Sequence, residues 1–294
     1  MIVHNARETK KRTVNWLIIN QNLLDLTCCV LIVVTLSLRV SGIYWTGALG
    51  YIFCSVILSG NSVYCVQNAS VINLMSVTVE RYLKVVYPFW SKTHLKDWVI
   101  KAAIVFSWVA GILSIGPLGF VTSIVVDGTC MGFQLFFEIS EIQNGYGVWN
   151  FAAFSLIPLT IFVYCYGHMV VVMRKQMRVM AGHNVEGPAQ SAQQARSKRI
   201  KWNIIKTMII VSAFFTVCWF PSSVYVMVVG SVLESSELTI GYLVTVSFPY
   251  VNISMNPFIY AAKHHGVRRV LARMMKCRRS DDDPTGTHVT NPSR

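Results

Sequence analysis

Charge is what this sequence has little of, and negative charge least. Only 13% of its 294 residues are charged, and 13 Asp and Glu stand against 26 Lys and Arg. With 53% hydrophobic residues and a mean hydropathy of +0.49, that balance excludes an ordinary soluble domain. Enzymatic chemistry has no constellation either. His4, His94, His168, His183, His264, His265 and His288 are scattered along cytosolic or inner-boundary segments, and no metal-ligand spacing occurs. Internal repeats and broken half-helices are also missing, which argues against a transporter or channel.

What the chain has is long apolar runs, at roughly 16–38, 48–79, 99–126, 146–173, 203–233 and 239–262. Each is long enough to cross a bilayer as a helix. The first, Trp16 to Leu38, is too long for the core of a signal peptide and is interrupted by Asn20, Gln21, Asn22 and Asp25. Six crossings put both ends on one side. With Met1 in the cytosol, the inner segments hold 25 of the 26 Lys and Arg and leave Arg39 alone outside, the positive-inside pattern in strong form. The net charge of +13 therefore reflects topology and contact with anionic lipid, and nucleic acid is not an expected partner.

The eight cysteines sort by depth. Cys28, Cys29, Cys65, Cys165 and Cys218 lie in apolar runs and read as small buried hydrophobes. Only Cys54 and Cys130 fall at the oxidising outer side, which makes them the one candidate disulfide. Cys277, in "MMKCRRS", is a candidate for palmitate. Between the spans, residues 1–15 read as a cytosolic loop and 174–201, with "AGHNVEGPAQSAQQARSKR", as a flexible inner linker bounded by helix ends that run past the membrane. The outer segment from about Ser123 to Gly145 suits a small hairpin. An amphipathic helix is expected over 263–277 and a disordered tail over 278–294.

Pro117, Pro158, Pro221 and Pro257 interrupt apolar spans, where each removes a backbone hydrogen bond and kinks its helix. "SVTVERYLKVVYP" ends one span with Glu80, Arg81 and Tyr82. A lone arginine there would simply snorkel to the interface. An acid before it and an aromatic after it give it more to do. "FFTVCWFP" sets Phe215 and Trp219 one turn apart below the Pro221 kink, and "NISMNPFIY" stacks Asn252, Asn256 and Tyr260 as a polar stripe that only a protein interior or a file of water could satisfy. Asp25 is the natural partner of that stripe.

These residues together resemble the rhodopsin-like (class A) G-protein-coupled receptors. The resemblance runs from about residue 7 to 277 and is carried by Asp25 in "NQNLLDL", Glu80-Arg81-Tyr82, Trp108, Pro158 with Tyr166, Cys218-Trp219-Phe220-Pro221 and Asn256-Pro257-Phe258-Ile259-Tyr260, in family order and spacing. It implies an all-α membrane protein, a seven-helix receptor bundle represented here by six transmembrane helices over 16–262 plus the short amphipathic helix. By the same resemblance "RETKKRTVNW" looks like the first inner loop, so the chain is expected to lack the first helix. The implied roles are a sodium-binding cavity at Asp25, Ser70, Asn252 and Asn256, a toggle at Phe215, Trp219 and Pro221, and G-protein coupling through Glu80, Arg81, Tyr82, Tyr166, Asn256, Pro257 and Tyr260.

Departures from the family narrow the ligand. An amine receptor resembles its relatives in an aspartate where Val63 stands, and an opsin in a lysine where Tyr250 stands. The inferred pocket, Tyr64, Gln67, Asn150, Ser222, Ser223 and Tyr242, is polar and aromatic without a buried charge, and acids Asp127, Glu138, Glu141, Glu234 and Glu237 surround it outside. A peptide is the expected ligand, a heterotrimeric G protein the expected inner partner, and no cofactor is expected beyond a structural sodium ion. The alternative is a six-helix form that does not signal alone and pairs with full-length receptors. Three further departures bear on structure. Cys54 lies two residues too far from Arg81, which demands a bulge or longer turn. Ile253 replaces a serine beside the sodium site. No acid in "SKRIKWN" is placed to pair with Arg81, leaving Glu80 to hold it.

Overall fold

In the computed structural model, residues 2–42, 46–132, 140–182, 188–232, 244–245, 247–253 and 255 are described. They form helices α1 (Ile2–Val40), α2 (Gly47–Phe53), α3 (Asn61–Val86), α4 (Pro88–His94), α5 (Asp97–Thr122), α6 (Ser140–Phe151), α7 (Ile157–Gly182) and α8 (Pro188–Val232). A two-stranded ribbon, β1 (Ile124–Val126) and β2 (Thr129–Met131), follows α5. Five spans long and apolar enough to cross a membrane lie among the described residues: Trp16–Val40, Gly47–Val86, Asp97–Thr122, Asn144–Arg178 and Ile205–Tyr225. The sixth expected span is helical at 247–253, and the rest of it lies largely outside the described residues, as do 263–277 and 278–294.

The surface is inverted relative to a soluble protein. Leu26 is 62% exposed and Val217 66%, whereas Asn73 and Thr78 are fully buried. Apolar side chains turned outward on every span, around an interior that holds the amides and hydroxyls, belong in lipid. α3 is the central helix and packs against α1, α5 and α7. Its approach to α5 depends on small residues. A Cβ on Gly111 would lie 2.6 Å from the Ala69 backbone nitrogen, and one on Gly119 would overlap Asn61. Where the helices touch, Asn68 Nδ2 donates to Ser114 Oγ at 2.9 Å and Asn61 Nδ2 to the Gly116 carbonyl, beside Pro117, at 3.0 Å. Asn68 and Asn252 head glycosylation sequons, yet both are buried, as their placement within spans predicts.

Two wide π turns interrupt the spans. Ala152–Leu156 joins α6 to α7 two residues before Pro158, which lacks the N–H that would continue the regular helical bonding. Cys54–Leu58 follows α2, and the chain then breaks at Gly60, which takes φ 81°, a left-handed conformation that glycine adopts without strain. This is the bulge that the spacing of Cys54 from Arg81 requires. α1 closes the gap it leaves: Thr35 Oγ1 donates to the Ile57 carbonyl at 3.2 Å, and Arg39 donates from Nε and Nη2 to the Leu58 carbonyl at 2.9 and 2.6 Å. Arg39, the one Lys or Arg expected on the outer side, thus caps the end of the π turn. Arg39→Ala should cost about 1–2 kcal/mol, since the buried Leu58 carbonyl loses a charged donor. Thermal unfolding should show the loss, and Arg39→Lys should restore part of it.

The outer hairpin forms within the expected segment. Its register pairs Ile124 with Met131, Val125 with Cys130 and Val126 with Thr129, closed by Asp127 and Gly128 at φ 50° and 74°, the two left-handed residues that a tight two-residue hairpin turn needs. Elsewhere the helices run further than expected. Residues 2–15 continue α1, and within the expected linker 174–201 the described residues 174–182 and 188–201 are helical. The extra turns are rich in Ala, Arg, Lys and Gln, good helix formers. Residues 183–187 lie outside the described residues.

Candidate functional site

The inner end of the bundle is organised around α3. Glu80 is buried, its Oε2 lies 3.3 Å from Arg81 Nε, and its other oxygen takes Lys84 one turn along. The carboxylate therefore holds two cations, one more than the sequence led us to expect. One turn outward, Thr78 shares a hydrogen bond with the Tyr166 hydroxyl at 3.0 Å, and Ser212 donates to the same hydroxyl at 3.1 Å. Tyr166 thus joins α3, α7 and α8 at one point. Tyr82 reaches across to His168 Nδ1 at 3.0 Å.

Outward from Tyr166 the contacts continue through rings. Phe162 lies 6.2 Å from Tyr166 and meets Phe215 edge-on at 5.9 Å, and Phe215 stacks on Trp219 at 5.6 Å. All four are buried. Phe162 was not among the residues picked out by sequence, although it stands one turn before Tyr166 on the same helix face, which is the available signal. Pro221 lies inside α8 just beyond Trp219. A shallow groove with no room for a water molecule runs beside the stack, lined by Ser155 of the π turn and by Phe215, Thr216, Trp219 and Phe220.

The expected pocket residues sit further out. Gln67 and Ser223 are each 2% exposed, Ser222 is also buried, and Tyr64 and Asn150 are half-buried; none of them lines the groove beside Trp219. Gln67 Nε2 and Ser223 Oγ are buried without a hydrogen-bond partner among the described residues, an arrangement that water or a polar ligand satisfies. Val63 is buried in an apolar cluster with Leu24, Cys28, Val66, Ala69 and Ile253, and Tyr250 packs against it. Cys54 and Cys130 form a disulfide, Cα to Cα 5.3 Å, tying the head of the second span to the hairpin. Asp127 and Glu141 are exposed there. Tyr242, Glu138, Glu234, Glu237, Asn256, Pro257, Tyr260 and Cys277 lie outside the described residues.

Asp25 of α1 is buried, 2% exposed. Gln21 Nε2 and Ser70 Oγ each donate to its Oδ1 at 3.2 Å, and Gln21 Nε2 also touches Ser70 Oγ. The network goes on through Asn73, which donates to Gln21 Oε1 at 2.8 Å, and Asn20, which donates to Asn73 Oδ1 at 2.9 Å and accepts from Trp108 Nε1 at 3.0 Å. Asn252 is buried nearby in the chain's last described helix, with Oδ1 unpartnered among the described residues. Asn20, Gln21 and Asn73 were not assigned to this site from sequence. Gln21 stands one helical turn from Asp25 and Asn73 one turn from Ser70 inside apolar runs, which is the available signal; Asn20 has no such spacing.

A multi-pass helical bundle with a buried polar interior, an aromatic relay and an acid-arginine pair at its inner end is the architecture of a membrane receptor. The family model for the 7 transmembrane receptor (rhodopsin family) matches residues 1–260, and the chain belongs to that family, whose members are receptors rather than enzymes. It is 26% identical to the human (Homo sapiens) somatostatin receptor type 3 over 249 residues, 83% of this chain and 56% of the relative. Against the human lysophosphatidic acid receptor 1 it is 24% identical, over 74% of this chain and 56% of that one. Against the human alpha-1D adrenergic receptor identity is 24%, covering 90% and 50%. The chain spans about half the length of the curated relatives it matches.

Proposed function

We propose that this protein is a receptor of the plasma membrane that binds an extracellular peptide and passes the signal to a heterotrimeric G protein, with its C-terminus in the cytosol. The observation that carries the proposal is the unbroken side-chain contact from Trp219 through Phe215 and Phe162 to Tyr166, and through its hydrogen bond to Thr78, one turn from Arg81. A ligand that displaces Trp219 favours one arrangement of α8 over another, and only such differential contact shifts a population. Pro221 supplies the pivot and Tyr166, held by Ser212 of α8, the inner readout.

The relatives are named for ligands as different as somatostatin and lysophosphatidic acid, so the choice rests on the pocket. Val63 is buried among apolar side chains, which leaves an amine no carboxylate to meet there. Gln67 and Ser223 hold buried donors and acceptors of the kind that pair with peptide backbone.

The test is nucleotide exchange by G proteins in membranes of cells expressing the chain, challenged in turn with peptide, amine and lipid libraries. A peptide should drive exchange, and Arg81→Ala should reduce the response at least about tenfold at equal surface amount. A response confined to amines or lipids would overturn the ligand class. Exchange indifferent to Arg81→Ala would overturn the role given to Arg81.

A further inference from the structure

Gln21 stands one turn before Asp25 on the same face of α1 and donates to its carboxylate. A carboxamide nitrogen carries two hydrogens and its oxygen accepts, and here every one of these is used. One N–H goes to Asp25 Oδ1 at 3.2 Å, the nitrogen also abuts Ser70 Oγ, and Oε1 accepts from Asn73 Nδ2 at 2.8 Å. Ser70 turns its own hydroxyl hydrogen toward the same Asp25 oxygen at 3.2 Å.

A hard cation binds through oxygen lone pairs. Two of the oxygens a sodium ion would need, Asp25 Oδ1 and Ser70 Oγ, face the positively polarised hydrogens of Gln21. An ion entering here has to push the amide away and strand a buried donor, while Asp25 already has the donors that reduce the cost of burying a carboxylate. The wall beyond is apolar, with Leu24, Cys28 and Ile253 in one cluster. Asn252 keeps a buried oxygen without a partner among the described residues, but one carboxamide oxygen does not make a cation site. The described residues of this site do not fit sodium.

We propose that the Gln21 carboxamide stands in for the cation, so that the interior polar site of this receptor is closed by its own side chain and its conformational balance does not respond to sodium. Gln21 is then a specificity residue. It holds Asp25, Ser70 and Asn73 together in the way an ion would, and the resting arrangement is set by the chain rather than by the salt outside.

The experiment is thermal unfolding of the full chain in lipid nanodiscs, in sodium chloride and in choline chloride at equal ionic strength. This readout requires neither an agonist nor a G protein, so its result is separate from that of the ligand proposal. The wild-type midpoint should be the same in both salts. Gln21→Leu, which removes the amide at similar volume, should gain a rise of about 2–4 °C in sodium alone, and adding Asp25→Asn should abolish that gain. A sodium-specific rise in the wild type that Asp25→Asn removes would overturn the proposal. So would folded Gln21→Leu and Gln21→Ala proteins that both ignore sodium, because something other than Gln21 would then exclude the ion. If neither variant folds, the wild-type comparison still decides: sodium-specific stabilisation refutes the proposal, and its absence supports it.

Discussion

Gly111→Ala should destabilise the bundle by about 3 kcal/mol, while Gly116→Ala on the same helix should be neutral or stabilise by up to about 1 kcal/mol. The two differ only in what a methyl group would meet. At Gly111 it would lie 2.6 Å from both Cβ and backbone nitrogen of Ala69 and 2.7 Å from its Cα. Those atoms belong to the backbone of α3 or are fixed to it, so no rotamer change relieves the overlap and the helices must part. At Gly116 the nearest atoms are Cys65 Sγ at 3.5 Å and Ile112 Cγ2 at 3.6 Å, ordinary contact distances. Separation of α3 from α5 also strains the Asn68 to Ser114 and Asn61 to Gly116 hydrogen bonds. Because α3 carries Ser70, Asn73, Thr78, Glu80 and Arg81, the loss should reach signalling as well. Unfolding midpoints of the two variants in the same lipid provide the measurement, and equal midpoints would show that the helices are not held at contact distance.

Cys130→Ser should remove most folded receptor from the cell surface. Its disulfide with Cys54 closes a loop with a sequence separation of 76, and a closure of that length restricts the unfolded chain by about 4 kcal/mol in the chain-entropy treatment. The hairpin that carries Cys130 is small, with three residue pairs and a left-handed turn, and an isolated two-stranded ribbon is marginal in water. Freed from Cys54 it should fray and leave the outer end of the bundle uncovered. Cys54→Ser should match Cys130→Ser, and the double variant should be no worse than either, since all three remove one bond. Surface labelling and thermal unfolding test this, and a double variant much worse than the singles would mean that one cysteine acts outside the bond.

The relay from Trp219 to Tyr166 is a statement about contact, and contact alone does not establish coupling. In the proposed switch the key point is Tyr166, which is bound at once to Thr78 of α3 and Ser212 of α8. Movement of α8 cannot leave both hydrogen bonds intact. Arg81, held beside Glu80, lies one turn further in, where that rearrangement would be felt.

Hydropathy determined the membrane class, because that depends on the transfer of each side chain between water and lipid and so is nearly additive along the chain. The order and spacing of Asp25, Glu80-Arg81-Tyr82, Pro158 with Tyr166 and Cys218-Trp219-Phe220-Pro221 determined the family in the same way. What the amides inside the bundle do was not legible. Asn20 and Gln21 read only as interruptions of an apolar run, and Asn73 was not singled out, until the packing of α1 against α3 put them on one network with Asp25. Arg39 read as a stray outer charge until the π turn at Cys54–Leu58 exposed a carbonyl for it to cap. Hydrogen bonds need an angle and a distance as well as a donor, and both are set by how whole helices pack. The sequence alone could decide which residues are buried polar groups, and only the tertiary structure could decide which of them satisfies which.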